Sequence, residues 1–291
     1  MGETFVDTDY QDYIYDKKYT CPCCDKDFMN PTVRTSKLRF VRQDTDLRNV
    51  FEPFDPIYYD AIQCPHCGYA AMSAYFGKLT DKQIERVEDY VTKRYKHKAF
   101  TLPIDAETAV TRTKFALLAA VILRRKDSEK ANICLKLSWL YNDIQDAKNE
   151  ELFRRRSLTT FAQAYQSETA SIGGLDSYGA AYLIADLYHR LGEEDEAMKW
   201  LSAVITSRDA KHSIKEKARN LKETISGAAS PSVLFKSPAA AQAKKPQNAI
   251  SLNAVKESKT DKTNKKTEEY PEKIMTFGEW FKQRYRRRKR K

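Results

Sequence analysis

The hydrophobic pattern changes period once along this chain. As far as about residue 79, apolar side chains alternate with polar ones or fall in short runs, the spacing of half-buried strands. Tyr15-Asp16-Lys17-Lys18-Tyr19-Thr20 reads as one strand, Ser36 to Arg42 with Leu38 and Phe40 as a half-buried second, and Tyr58-Tyr59-Asp60-Ala61-Ile62 as a third. Between them, Asn49 to Pro56 is punctuated by Pro53 and Pro56 and reads as loop. From Thr80 onward the apolar residues recur every three or four positions. Thr80 to Gln83 forms a capping box, and Ile84, Val87 and Val91 follow on one helical face.

More helices follow. Pro103 and Asp105 mark the start of a segment whose crowded Phe115, Leu118, Val121 and Ile122 predict a central helix. Asp127 and Ser128 break and cap, and Ile133, Leu137, Leu140, Tyr141 and Ile144 form the next stripe. A long helix begins near Ala147, with Leu152, Phe153, Leu158, Phe161 and Tyr165, and Gly173-Gly174 is expected to end it. Ala181, Ile184, Ala185, Tyr188, Gly192, Ala197, Leu201 and Val204 have the spacing of one tetratricopeptide unit, two antiparallel helices with a glycine in the turn. Leu137, Ser138 and Tyr141 begin a looser unit, and Ser213 to Glu216 is read as the cap of a last helix with Ala218, Leu221 and Ile225. One repeat cannot bury its own face, so about three stacked hairpins are expected.

Past Gly227 the pattern fades. Residues 227–270 are rich in Ala, Pro, Ser, Thr and Lys and hold too little apolar surface to offset ordering entropy, the composition of a disordered linker. At the end, Thr276 and Glu279 make another capping box, Phe277, Trp280, Phe281 and Tyr285 share one helical face, and Arg284, Arg286, Arg287, Arg288, Lys289, Arg290 and Lys291 supply charge.

Charge sharpens this division. The 291 residues carry a net charge of +11, which suggests a polyanion partner until it is located. Residues 227–291 hold 17 Lys and Arg against 6 Asp and Glu, leaving 34 of each sign in residues 1–226. The folded part is therefore neutral and has no overall electrostatic reason to seek phosphates. No apolar run approaches the roughly 18 residues of a membrane span, and the N-terminus has no secretory pattern, so the expected compartment is the reducing cytoplasm.

In that compartment, paired cysteines are metal ligands or redox centres more often than disulfides. Two couples stand out, Cys21-Pro22-Cys23-Cys24 and Cys64-Pro65-His66-Cys67-Gly68, separated by 39 residues. Cys21, Cys24, Cys64 and Cys67 offer four soft thiolates, the donor set of one closed structural zinc site. The gap exceeds that of a minimal ribbon, so an insert must fold between the knuckles. Gly68 supplies the positive φ that a tight knuckle needs. Cys23 is a spare thiol, His66 points away from the ion, and Cys134 belongs to a helical core stripe. His97, His189 and His212 have no paired acid or nucleophile nearby in sequence. Tyr58, Tyr59 and Tyr69 are expected to pack around the metal, and Arg39, Arg42, Arg48, Asp44, Asp46 and Asp60 to form surface ion pairs.

These strings carry a resemblance. Tyr19 to Cys24, Ser36 to Arg39, Asp44 to Asp46, Tyr58 to Ala70, and Ser138 to Tyr141 together resemble a bacterial family, domain of unknown function 2225, over about residues 4–226. The resemblance implies a zinc-ribbon-like head on a tetratricopeptide-like body; it implies no particular activity.

The fold expected is α+β. It comprises a zinc-ribbon-like β domain (1–79), an all-α tetratricopeptide-like helical body (80–226) and a disordered basic tail (227–291). The function expected is a non-enzymatic zinc-binding adaptor, with one structural Zn²⁺ and a protein or peptide on the helical face. Its tail would meet an anionic membrane surface through Phe277, Trp280, Phe281 and the terminal Arg and Lys residues, placing it peripherally at the inner membrane. The competing readings are a nucleic-acid-binding protein that uses ribbon and tail together, and a thiol oxidoreductase. The last requires a CxxC opening a helix within a βαβ pattern, which the sequence does not show.

Overall fold

The computed structural model describes residues 10–169 and 171–227. The linker from Ala228 onward and the basic aromatic end lie outside the described residues, as does the N-terminus before Tyr10. Over the described residues the chain is α+β: three small antiparallel hairpins precede seven α-helices.

The first hairpin pairs β1 (Ile14–Thr20) with β2 (Asp27–Val33). The second pairs β3 (Arg39–Gln43) with β4 (Asn49–Glu52), and the third pairs β5 (Ala61–Gln63) with β6 (Ala70–Met72). The cysteine couples occupy the turns of the first and third hairpins. The second hairpin is the insert between them.

Several local expectations are corrected here. The segment read as loop holds β4, whose pairing with β3 supplies the backbone bonds that its own sequence does not advertise. The half-buried strand is β3, yet Phe40 is 55% exposed and meets Phe51 edge-on across the hairpin. Tyr58 and Tyr59 lie in a 3-10 turn rather than a strand, because Asp55 accepts the Ile57 N–H and Pro56 presets the first turn. Strand β2 gave little signal because Pro31 interrupts it. A two-stranded ribbon tolerates proline on its outer side.

The helices are α1 (Asp81–Tyr90), α2 (Ala106–Ile122), α3 (Asp127–Asp143), α4 (Ala147–Ser167), α5 (Ser177–Arg190), α6 (Glu194–Thr206) and α7 (His212–Ile225). The Thr80–Gln83 capping box forms, and Asp105 caps α2 by accepting the Thr108 N–H. Helix α4 stops at Ser167, before Gly173 and Gly174, which instead turn the chain between Ile172 and Leu175. Ser213 sits inside the first turn of α7 and does not cap it. Ser128, also inside its helix, gives its N–H and hydroxyl to the Glu168 carboxylate at 2.9 and 2.6 Å. Helix α2 is central, but not through its large side chains. Ala109, Ala116, Ala119 and Ala120 are buried, letting it approach β5 and β6 closely, whereas Leu118 and Val121 face outward.

Three buried clusters hold the fold. One joins α4 to α7 around Phe161, Tyr182, Trp200 and Leu201. A second runs from Ile14, Val33, Tyr59 and Met72 of the β part into Val110, Ile133, Leu137 and Phe153 of the helices. The third surrounds the cysteines and draws in Val87 of α1 and Val91 at its end, with Ala119 and Leu123 at the end of α2. The hydrophobic core is therefore continuous across residue 80, and the β part rests on α1, α2 and α3.

Candidate metal centre

Each cysteine couple folds into the same backbone knuckle. In the first, the Cys21 N–H donates to the Lys26 carbonyl at 3.0 Å, and the Asp25 N–H donates to the Cys21 carbonyl at 2.9 Å. In the second, the Cys64 N–H reaches the Tyr69 carbonyl at 2.8 Å, and the Gly68 N–H reaches the Cys64 carbonyl at 3.0 Å. Asp25 and Gly68 are the matching fifth residues, with φ of 60° and 77°. The sequence flagged only the glycine. The aspartate takes the left-handed region that its short polar side chain tolerates better than most.

The knuckles face each other. The Sγ atoms of Cys21, Cys24, Cys64 and Cys67 all lie within 4.8 Å of one another. Cys21 and Cys67 sulfurs are 3.6 Å apart, and those of Cys24 and Cys64 are 3.7 Å apart. A tetrahedron with metal–sulfur bonds of about 2.3 Å has edges of about 3.8 Å, so the spacing fits one ion held by four thiolates. It is far too long for S–S bonds of about 2.05 Å, and the cysteines are free. Cys21, Cys64 and Cys67 are buried, while Cys24 is partly exposed at the rim.

The environment prepares the sulfurs for a cation. The Cys23 N–H points at Cys21 Sγ from 3.4 Å. The thiols share protons unequally. Hydrogen bonds from Cys21 and Cys67 hold Cys64 far below the usual thiol range; the bond to Cys64 pushes Cys21 up, and bonds to Cys21, Cys23 and Cys64 push Cys67 up, with burial adding to both. Four negative charges are costly in this apolar jacket unless a cation shares them, and a soft divalent ion would displace the remaining protons.

Residues that follow α1 brace the second knuckle. Thr92 donates its hydroxyl to the Cys67 carbonyl at 3.1 Å. Tyr95 lies directly on Gly68, where an added Cβ would fall 2.4 Å from the Tyr95 Cγ. Gly68 is thus required twice, for its φ and for this approach. His66 stays off the metal, its Nε2 3.3 Å from the Asp27 carbonyl. Cys134 is buried in the second cluster, and burial pushes its thiol up to about 12, the behaviour of an inert core cysteine. His97, His189 and His212 contact Tyr95, Glu194 and Glu216 respectively, away from the sulfurs.

The insert holds what the sequence reading missed. Its residues are not all surface ion pairs: the loop from Asp44 to Arg48 docks on the helices. Asp46 is only 3% exposed and accepts the Trp139 indole N–H at 2.8 Å. Arg48 is clamped by both Asp143 oxygens, at 2.9 and 2.7 Å, and by Asp55 at 2.7 Å. The Thr45 carbonyl accepts the Tyr182 hydroxyl at 2.8 Å, and the Thr45 hydroxyl accepts from Arg190 at 2.8 Å. Arg190 also pairs with buried Asp186 at 2.7 Å. Asp60 pairs with Lys136 of α3. Only Arg39 with Glu52 and Arg42 with Asp44 remain outward pairs within the insert hairpin. Alternating acids and bases in a short loop were the available signal, but nothing local says that they are buried.

Among the described residues, no helix is long and apolar enough to cross a membrane, and the four cysteines form the one cluster of His, Cys, Asp or Glu with metal-ligand geometry. The family model described as an uncharacterized protein conserved in bacteria (DUF2225) matches residues 14–225. No curated protein and no solved structure matches. The match spans both knuckles, the insert and all seven helices, and the chain belongs to this family.

Proposed function

We propose that this family member is a zinc-binding adaptor, in which one structural Zn²⁺ on Cys21, Cys24, Cys64 and Cys67 sets the β part as a rigid head on a helical, tetratricopeptide-like scaffold. The observation that carries this reading is the four sulfurs meeting at tetrahedral spacing inside an apolar jacket that includes α1 and α2. Four thiolates saturate the ion and leave no position for water or substrate, which favours a structural over a catalytic role. The knuckles follow strands β1 and β5 rather than opening a helix, which favours metal binding over thiol exchange. The α5–α6 hairpin supports repeat-like stacking, with fully buried Ala185 and Ala197 and with Gly192 at φ 76° in its turn. The helical face would then receive a protein or peptide.

The direct test is metal analysis of protein purified without chelator. One equivalent of zinc is expected, and less than about half an equivalent overturns the assignment. The neutral charge of residues 1–226 favours an adaptor over the nucleic-acid reading. We place surface binding in the tail, at Phe277, Trp280, Phe281 and the basic residues beyond, and the molecule in the cytoplasm. Exchanging Arg284, Arg286, Arg287, Arg288 and Lys289 for Gln in the full chain should abolish sedimentation with anionic vesicles. RNA binding that survives this exchange would instead support the nucleic-acid reading.

A further inference from the structure

A cavity of about 340 Å³ lies between the β part and α3, apart from the cysteines, and its size is that of small-ligand pockets. It opens where the first hairpin, the insert and α3 meet. Its apolar wall includes the rings of Phe51, Tyr59 and Trp139, and two ion pairs line it as well, Arg48 with Asp55 and Lys136 with Asp60.

These groups are held in place before any ligand arrives. Trp139 is fixed by its indole bond to Asp46, and Arg48 is fixed by Asp55 and Asp143. Asp60 accepts from both Lys136 and the Ser73 hydroxyl. Lys136 and Trp139 sit one turn apart on α3 and so present to one side. Fixed charges and rings of this kind lower the ordering cost of binding.

The charges select the ligand class. The two cations and two anions of the lining cancel, and Asp143, just outside it, further occupies Arg48, which leaves Lys136 as the cation with spare donors. A simple anion would meet Asp55 and Asp60, and a simple cation would meet Arg48 and Lys136. A wholly apolar guest would strip water from both ion pairs and return no hydrogen bond. The ammonium of Lys136 carries three N–H donors, more than its bond to Asp60 uses, and each carboxylate has acceptor capacity beyond the bonds it makes. A guest that carries both charges and an apolar group satisfies all three features.

We propose that this cavity binds a free α-amino acid with an apolar side chain, its carboxylate on Lys136, its ammonium on Asp60 or Asp55, and its side chain against Trp139 and Phe51. The inference is independent of the metal reading, because none of the cysteines lines the cavity.

The test uses the full chain as purified, with thermal melting and calorimetry against the free amino acids at about 10 mM. At least one apolar amino acid should raise the melting temperature. Its carboxamide and its N-acetyl derivative should not, since each lacks one charge. Lys136→Met and Phe51→Ala, checked for unchanged circular dichroism, should each weaken binding about tenfold or more. Phe51 lies on the outward β3–β4 hairpin, so its variant keeps the test decisive if Lys136→Met folds poorly. The proposal fails if no amino acid shifts the melt, if a capped derivative binds as well as its parent, or if the folded variants bind unchanged.

Discussion

The two knuckles have the same backbone and different lives. The first, at Cys21 to Lys26, ends a hairpin whose Asp25 faces solvent, and its Cys24 is partly exposed. The second, at Cys64 to Tyr69, is covered by the segment that follows α1: Thr92 holds the Cys67 carbonyl and Tyr95 covers Gly68. Both present a residue at positive φ, yet the first can use aspartate while the second admits only glycine. The metal geometry asks the same of both sides. The difference comes from what is packed outside the four sulfurs, so the second knuckle anchors the cluster to the body and the first closes it.

That asymmetry can be broken at the ligands first. Cys64→Ser should abolish metal binding and unfold the β part, because the ion contributes on the order of 10 kcal/mol to a structural site. Cys24→Ser, at the rim, should leave a weakened but measurable site; metal content and thermal melting distinguish the two. Equal loss from both variants would mean that the knuckles are energetically equivalent. If the four thiolates hold zinc as proposed, acid should act in the same direction on both knuckles, since protons compete for the thiolates and would release the ion as the pH falls.

The next largest effect is expected at the matched turn positions. Gly68→Ala combines a left-handed backbone with a clash against Tyr95 and should cost about 2–4 kcal/mol in urea unfolding of the zinc-loaded protein. Asp25→Gly, at the same backbone conformation with no such cover, should be neutral or stabilising by up to about 1 kcal/mol. Adding Tyr95→Ala to Gly68→Ala should recover part of the loss; no recovery would place the strain in the backbone alone.

A smaller effect tests the layer beneath. Arg112 on α2 is 3% exposed, its only hydrogen bond among those described runs to Asn30, and its Nε and Nη1 have no partner. Burial holds its guanidinium down to about 10, and the Phe100 ring 5.1 Å away is its other support. A buried cation without a carboxylate stabilises little, so Arg112→Met should change stability by no more than about 1 kcal/mol, with gain the favoured direction. A loss above about 3 kcal/mol would show that the charge is neutralised by a group not yet identified. Smallest of all, His66→Ala should shift stability by less than about 0.5 kcal/mol and leave zinc content unchanged, as expected of a residue between two ligands that binds neither.

Much of this was legible in the chain. The knuckle strings pointed to the four cysteines that the structure clusters, and the Thr80–Gln83 box, Asp105 and the Leu137, Leu140, Tyr141 stripe located helices, because caps and periodicity are local properties. What escaped notice depended on partners distant in sequence. Pro31 and Pro53 hid strands β2 and β4, which exist through pairing. Leu118 and Val121 looked like core and are exposed, because the neighbouring sheet requires alanines on the contact face of α2. Asp46 and Arg48 looked like surface charge and are buried, because Trp139 and Asp143, some ninety residues on, complete them.

By itself, then, the sequence determined which atoms could hold a metal and where helices begin, since ligand chemistry and capping need only residues a few positions apart. The tertiary structure alone decided that the four sulfurs converge, that the insert loop is clamped to α3 and α5, and that the joint between the two parts leaves a charged aromatic cavity. Each of those depends on which surfaces meet, and a contact across 40 to 145 residues leaves no periodic trace in the chain.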